Sequence, residues 1–450
     1  MDFDLDILSL AAAYRRRETT AIDVTQRLLD RLAPGPVFRL VTAERALVQA
    51  ARADALFSRG IDLGPLQGVP IGLKDLLDTR GDVTSAGSAA LADQPPAVQD
   101  CAVAARLDAA GAVFLGKTTM TELAFSGLGL NQHSPIPGNV LDRRRVPGGS
   151  SSGSAVSVGS GLTSFAIGSD TGGSVRIPAS FNGLVGLKPT ERSLPMDGVV
   201  PASVTHDTLG PLARTVADAW HAWQALLGSP PRWFVPQDVA GLSLFAPTTV
   251  LQDDLDTDVR AGFEHGVALL QTLGADVRRG GAPSIGDIDA TYVRMHSINS
   301  VEFSAAHADL VRRSGDRIDP RVARRVLASA DCTASEYMEL LNERERLKHA
   351  FWQEAMGADA IVAPTVAMLP PLIEPLVTGD DAAFGQVNVR SVRNTRVFNY
   401  LGTPAVSVPV LATAAGLSVG FMVVTRPGSE HLALSIAAAV EAGAIQVSRR

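Results

Sequence analysis

Three times along this chain a helical stretch closes on a glycine and runs into a short apolar strand. Val103, Leu107 and Ala110 recur at helical spacing, Gly111 ends the helix, and 112–115 reads as a buried strand. The order repeats over 263–273, Gly274 and 275–277, and returns in looser form before 360–363. Helix, glycine, short apolar strand is the alternation of an α/β layered fold with a buried sheet. Val406, Val408 and Val410 alternate, as do Val419, Phe421 and Val423, which predicts two late strands. Leu432, Ile436 and Val440 predict a closing helix. Residues 5–33 read as helical, with Leu5, Leu8 and Ala12 on one face and Val24, Leu28 and Leu32 on another.

With 46% hydrophobic and 19% charged residues in 450, the chain can fill a large core, which excludes disorder. Pro230, Pro231 and Pro236 mark a break, after which 237–355 is more charged and more helical in pattern. That stretch reads as an insertion or cap on one continuous sheet. Forty Lys and Arg against 47 Asp and Glu give a net charge of −7, and no long basic run occurs. The balance argues against nucleic-acid and anionic-membrane partners. The opening MDFDLDILSL is acidic where a signal peptide is basic, and no stretch approaches ~18 uninterrupted apolar residues. Cys101 and Cys332 are too few for a disulfide framework or a cysteine-based metal site, so the expected compartment is the reducing cytoplasm.

The chemistry concentrates in 147–189, where ten serines and ten glycines surround Val156, Val158, Leu162, Phe165, Ala166 and Ile167. Those apolar residues exclude a flexible linker and predict glycine–serine loops buried at the ends of core elements. Thr171-Gly172-Gly173-Ser174 can turn consecutive backbone N–H groups inward, as an acyl-transfer enzyme needs for a developing oxyanion. Pro178 predicts a helix start nearby, which puts Ser174 near a positive dipole end. Ser174 is therefore the candidate nucleophile. No histidine or carboxylate pair stands near it at a telling spacing. The alternative base is Lys74, at the end of the apolar run Val69-Pro70-Ile71-Gly72-Leu73. To act near pH 7 it must lose about 3 units from ~10.4, a shift that burial can supply.

These pieces resemble the amidase signature family. The matching segments are Gly148-Gly149-Ser150-Ser151, Gly168-Ser169-Asp170-Thr171-Gly172-Gly173-Ser174, Arg176-Ile177-Pro178-Ala179, Gly186-Leu187-Lys188-Pro189-Thr190 and Asp207-Thr208-Leu209-Gly210-Pro211. Gly68 to Asp75, Gly116-Lys117-Thr118, Ala363-Pro364-Thr365 and Phe398 to Ala405 match as well. The resemblance covers nearly the whole chain and is weakest over 235–350. It implies a single large α/β domain with a central mixed β-sheet flanked by helices on both faces. Within that domain it implies N-terminal helices over 1–60, a catalytic core over 61–230, a mostly helical insertion or cap over 231–355, and the C-terminal part of the core sheet over 356–450. It also implies a Ser–Ser–Lys triad. Ser174 matches the nucleophile that forms the acyl-enzyme. Ser150 matches the bridging serine that follows a cis peptide bond, and Lys74 matches the base that relays protons through Ser150. The N–H groups of Thr171, Gly172, Gly173 and Ser174 match the oxyanion hole. Asp170, Gly127 and Arg176 are expected around it. Ser152 and Asn182 depart from the family's usual glycine and cysteine.

Rival signals weigh less. Gly111 to Thr118 satisfies a phosphate-loop pattern, but Val113-Phe114-Leu115 reads as the strand itself. Gly149-Ser150-Ser151-Ser152-Gly153 satisfies the nucleophile-elbow pattern, with Asp380 or Asp381 and His431 following, but residues 143–147 before it are no apolar strand. Arg176 is read as pairing with Asp170 in preference to binding a substrate carboxylate. Residues 143–145 read as a solvated turn. His133 and His206 read as packed or surface residues before pocket residues. Residues 125–128 face substrate or form a core turn.

The expected activity is hydrolysis of a small carboxamide to a carboxylate and ammonia or an amine, with no metal and no organic cofactor. The resemblance leaves open a homodimer and, as an alternative function, the glutaminase subunit of a tRNA amidotransferase. Against that alternative stands TELAFSGLGLN at 121–131, which lacks that subunit's methionine- and serine-rich character. The pocket is expected to draw on segments such as 128–145 and 290–345.

Overall fold

The strand Ser418–Thr425 is buried along its whole length, and its side chains divide by parity. Val419, Phe421 and Val423 enter one apolar cluster, Met422 and Val424 another. A strand that feeds two cores with alternate residues is covered on both faces. The computed structural model, which describes residues 4–444, extends this to the sheet as a whole.

The strands are β1 Phe38–Val41, β2 Pro70–Lys74, β3 Val113–Thr118, β4 Phe165–Ser169, β5 Val185–Lys188, β6 Leu209–Ala213, β7 Ser243–Pro247, β8 Asp276–Gly280, β9 Ala360–Pro364, β10 Ala405–Ala412 and β11 Ser418–Thr425. Among the described residues these eleven form one sheet in the order β1-β3-β2-β4-β6-β5-β10-β11-β9-β7-β8. β2 runs parallel to β3 and β4, and β7 parallel to β8 and β9. From β4 through β6, β5, β10 and β11 to β9 each pairing is antiparallel. The sheet is thus mixed, central and covered by helices on both faces, as expected.

The glycine punctuation holds. Gly111 follows the helix Ala102–Ala109 with φ +87°, and a Cβ there would stand 2.9 Å from Gln67 Cα. The next strand starts at Val113 and runs to Thr118, longer than expected. The helix Thr257–Thr272 leads through Gly274 to β8, at the sheet's edge. That position explains why the strand continues into Arg278 and Arg279, since an edge tolerates charge.

Two expectations need correction. Residues 231–355 do more than cap, because they supply β7, β8 and the helix between them. The helical part begins at Pro283. The N-terminal stretch is two helices, Ile7–Arg15 and Ala21–Leu29. The first buries Ile7, Leu10, Ala11 and Tyr14 in place of Leu8 and Ala12. Ile7 N–H donates to Asp218 Oδ1 at 2.8 Å, and this anchor to the helix Val216–Leu227 sets the buried face. Among the described residues no helix is long and apolar enough to cross a membrane.

Candidate active site

β2 ends at Lys74 and β4 ends at Ser169. These strands are parallel neighbours, so both ends open at the same edge of the sheet, and Lys74 Nζ donates to Ser169 Oγ at 2.8 Å. The loop before the helix Ser152–Gly159 delivers a second hydroxyl, with Lys74 Nζ donating to Ser150 Oγ at 2.7 Å. The Gly149–Ser150 peptide bond is cis. Lys74 and Ser150 are fully buried. Burial pushes the Lys74 ammonium down to about 7, against the pull of Asp170 and Asp207. Its two hydrogen-bond partners are neutral hydroxyls. Sequence places Ser169 inside a matching motif but gives it no role of its own. The signal for that role is its place as the last residue of a strand beside β2.

The turn from Asp170 to Arg176 is folded around one carboxylate. Asp170 accepts from Gly173 N–H at 2.8 Å, Val175 N–H at 3.1 Å, Arg176 Nε at 3.0 Å, Arg176 Nη2 at 2.9 Å and Asn399 Nδ2 at 2.8 Å. Burial alone would raise its pKa, but Arg176, Lys188 and Asn399 hold it well below the usual carboxylate range. Arg176 is itself fully buried in the helix Arg176–Phe181 and also donates to Asn399 Oδ1 at 2.6 Å. Asp170 and Arg176 therefore hold the turn and do not line the cavity, which removes Arg176 from the expected substrate contacts. The expected oxyanion set is corrected at Gly173, whose N–H is engaged by Asp170. Thr171, Gly172 and Ser174 keep N–H groups with no acceptor among the described residues. Gly173 is needed for another reason. Its φ is +130°, and a Cβ would strike the Thr395 hydroxyl, which donates to Gly172 O at 2.6 Å.

A cavity of about 310 Å³ opens on Thr171, Gly172 and Ser174. Its other walls come from 124–127, 202–203, 292–303, 325–329 and 388–396. Of the three expected catalytic residues only Ser174 lines it, and among the described residues its hydroxyl makes no hydrogen bond. Lys74 and Ser150 are buried and do not line it. Phe125, Ser126 and Gly127 face the cavity, and Gly127 N–H donates to Asn388 Oδ1 at 3.0 Å. Leu128 is buried in an apolar cluster instead. The 290–345 segment contributes as expected, but nothing from 128–145 does. Neither His133 nor His206 lines the cavity. His206 is buried with its Nδ1 2.7 Å from Thr205 Oγ1, and burial pushes its pKa well down.

The cavity's charge goes beyond what the sequence predicts. Its lining carries three arginines and no carboxylate. Arg294 is paired with Glu343 at 2.6 Å and Arg396 with Asp289 at 2.6 Å. Arg325 has no hydrogen bond or ion pair among the described residues. Its guanidinium sits 5.2 Å from the centre of the Phe125 ring, and burial lowers its pKa. In sequence, Arg325 reads as the polar side of PRVARRVL, whose Val322 and Val326 are buried.

The rival motifs fail on geometry. Lys117 lies inside β3, 3.2 Å from Asp75, and donates to Thr84 Oγ1 at 2.6 Å. The Ser151 hydroxyl is buried against the Ser169 backbone, while His431 packs on Trp220 and Phe234. In the 143–145 turn Arg144 is exposed, but Arg145 donates to Pro370 O at 2.7 Å and is half-buried. Asn182 donates to Pro147 O at 2.6 Å and Pro178 O at 2.7 Å, which fixes the loop ahead of Ser150. Among the described residues His296, Cys332 and Glu336 bring possible metal-ligand atoms within 4.8 Å of one another. Glu336 already accepts there from Thr333 N–H at 2.8 Å.

The sequence profile of the amidase family matches residues 23–434. The chain is 34% identical to 2-amino-5-chloromuconic acid deaminase of Comamonas testosteroni, covering 97% of this chain and 96% of that protein. It is 30% identical to the A-type subunit of glutamyl-tRNA(Gln) amidotransferase from Alkaliphilus metalliredigens, over 97% and 96%. Native peptide amidase from Stenotrophomonas maltophilia superposes with a TM-score of 0.81 at 27% identity, covering 98% of this chain and 96% of that one.

Proposed function

The chain belongs to the amidase family, hydrolases of C–N amide bonds, and on that premise we propose that Ser174, Ser150 and Lys74 carry the reaction. The observation that carries the assignment is the 2.7 Å contact between Lys74 Nζ and Ser150 Oγ at a fully buried site. With its pKa near 7, a large share of Lys74 is neutral at neutral pH. Neutral Lys74 takes the Ser150 proton as Ser150 takes that of Ser174, and Ser174 Oγ attacks the amide carbonyl. The N–H groups of Thr171, Gly172 and Ser174 receive the oxyanion. The C–N bond breaks as the same relay returns the proton to the leaving nitrogen, and water then cleaves the acyl-enzyme. Asp170 and Arg176 act through the turn they hold.

The substrate on this reading is an amide that carries a carboxylate. Three arginines without a lining carboxylate favour an anion, and Arg325 is the one left without a partner among the described residues. A relative named for a reaction on a muconic acid, itself a carboxylic acid, supports the class. The test is ammonia release from butyramide and glutaramate, with Ser174→Ala as the blank. Glutaramate is expected to be preferred, and Arg325→Gln to raise its KM about tenfold relative to butyramide, the loss of one charged hydrogen bond. A sulfonyl fluoride is expected on Ser174, and an adduct on Ser151 would overturn the assignment.

Relatives named as amidotransferase subunits support a second reading, release of ammonia from glutamine for partner subunits. Glutamine turnover only in the presence of such subunits would favour it.

A further inference from the structure

We propose that the cavity takes an amide bearing two anionic groups, one seated on Arg325 and the other on Arg396. The proposal rests on the hydrolase reading and extends it to the rest of the substrate. Arg396 lines the cavity and is only 6% exposed. It donates one hydrogen bond, from Nη2 to Asp289 Oδ1 at 2.6 Å, and its Nε is buried with no acceptor among the described residues. A guanidinium in this setting retains donors that a ligand oxygen can engage. Asp289 does not line the cavity, so its carboxylate stands outside the wall that the cation presents.

The seat is built. The Arg396 guanidinium lies 4.6 Å from the centre of the Tyr292 ring, and Tyr292 OH donates to Arg396 O at 3.0 Å, so one residue holds both ends of the arginine. The preceding residue, Thr395, donates to Gly172 O at 2.6 Å, which ties this wall to the turn that carries Ser174. Arg325 belongs to a separate helix, Pro320–Leu327, and rests on a separate ring, Phe125. Arg325 and Arg396 stand on two helices and against two rings, and the proposal gives each its own anionic group. With no lining carboxylate, nothing on the cavity surface opposes a second negative charge. A neutral or singly charged amide would leave the Arg396 donors unused.

Binding measured on Ser174→Ala protein by calorimetry tests this without requiring turnover. The probes are glutaramate, with one carboxylate, and the monoamides of tricarballylic acid and of a homologue longer by a methylene in each arm, with two. At least one dianionic monoamide is expected to bind about tenfold or more tighter than glutaramate, roughly 1.4 kcal/mol. Adding Arg396→Gln is expected to bring that ratio to about one, while Arg396→Lys retains several-fold preference because it keeps the charge. Equal affinities in the parent overturn the proposal. So does an Arg396→Gln protein that loses glutaramate as much as the dianions, since that is the mark of a structural role. Failure of the hydrolase reading shows separately, as binding to Ser174→Ala with no ammonia released by the unmodified enzyme.

Discussion

The Thr171 hydroxyl donates to Asp207 Oδ1 across 2.5 Å, while Asp207 Oδ2 accepts from Ala202 N–H at 2.8 Å and Ser203 N–H at 2.9 Å. One buried carboxylate thereby joins the turn before Ser174 to a second wall of the cavity. The tether continues, because Ser203 donates its hydroxyl to Glu302, which also accepts from Tyr337 OH at 2.5 Å. Burial pushes Asp207 up to about 6, against the hydrogen bonds from Thr171, Ser203 and Ala202. Its charge is one of the two that pull the Lys74 pKa upward. Asp207→Asn keeps an acceptor for the backbone and a donor for Thr171 but removes that charge. The acid limb of the kcat/KM profile is expected to move to lower pH in this variant, and Asp207→Ala, without the tether, to lose about tenfold or more in kcat. A limb that stays in place would separate Asp207 from Lys74.

The unmodified enzyme is expected to gain kcat/KM with pH through about 7 and then level off, because the proposed base is neutral Lys74. About one unit or more below that pKa the rate should fall close to tenfold per pH unit. Initial rates of ammonia release from about pH 5 to about pH 9, roughly two units either side of that value, give the profile. Activity that peaks at the acid end would contradict a lysine base.

The same lysine makes a stability prediction. Its folded pKa of about 7 lies below the ordinary 10.5, so the unfolded chain holds a proton that the folded one lacks between those values. Stability therefore rises with pH across that window, and below 7 the native state carries the full cost of a buried ammonium. The shift corresponds to roughly 5 kcal/mol at most, less about 1 kcal/mol for each of the two hydroxyl hydrogen bonds that substitution removes. Lys74→Met is expected to be inactive yet more stable than the parent by about 2–3 kcal/mol near pH 6, with the gain vanishing toward pH 10. Urea unfolding at several pH values reads this directly, and a variant less stable at pH 6 would refute it.

Sequence made the proposed reacting groups legible and the surroundings of the proposed substrate illegible, for a physical reason. Lys74, Ser150 and Ser174 lie where backbone geometry is demanding, at strand ends and in glycine-bearing turns, and such geometry leaves a mark in residue type and spacing. Gly173 shows the limit of that mark. Its glycine was readable, but the engagement of its N–H by Asp170 depends on how the turn closes. Arg325 and Arg396 stand on helices where any arginine at helical spacing reads as a solvated face. Only the packing of those helices over Ser174 turns them inward. The strand β8 shows in the sequence only at its start, 275–277, because this edge strand continues into Arg278 and Arg279 and lacks the longer apolar run that marks a buried strand.

The buried pair of Asp170 and Arg176 offers a test of how much the turn matters apart from its charges. Both side chains are fully inaccessible, and their nearest contact is 2.9 Å. Removing one partner leaves an uncompensated buried charge, so Arg176→Met is expected to cost about 3–5 kcal/mol in urea unfolding. The double variant Asp170→Asn with Arg176→Met removes both charges and is expected to recover part of that loss. Activity should not recover with it. The Asp170 carboxylate accepts the Gly173 and Val175 N–H groups on its two oxygens, and an amide offers only one acceptor for both. The turn that aims Ser174 thus stays altered in the double variant while the fold regains stability. If kcat returned together with stability, the role assigned to Asp170 in shaping the turn would be wrong, and the pair would matter for folding alone.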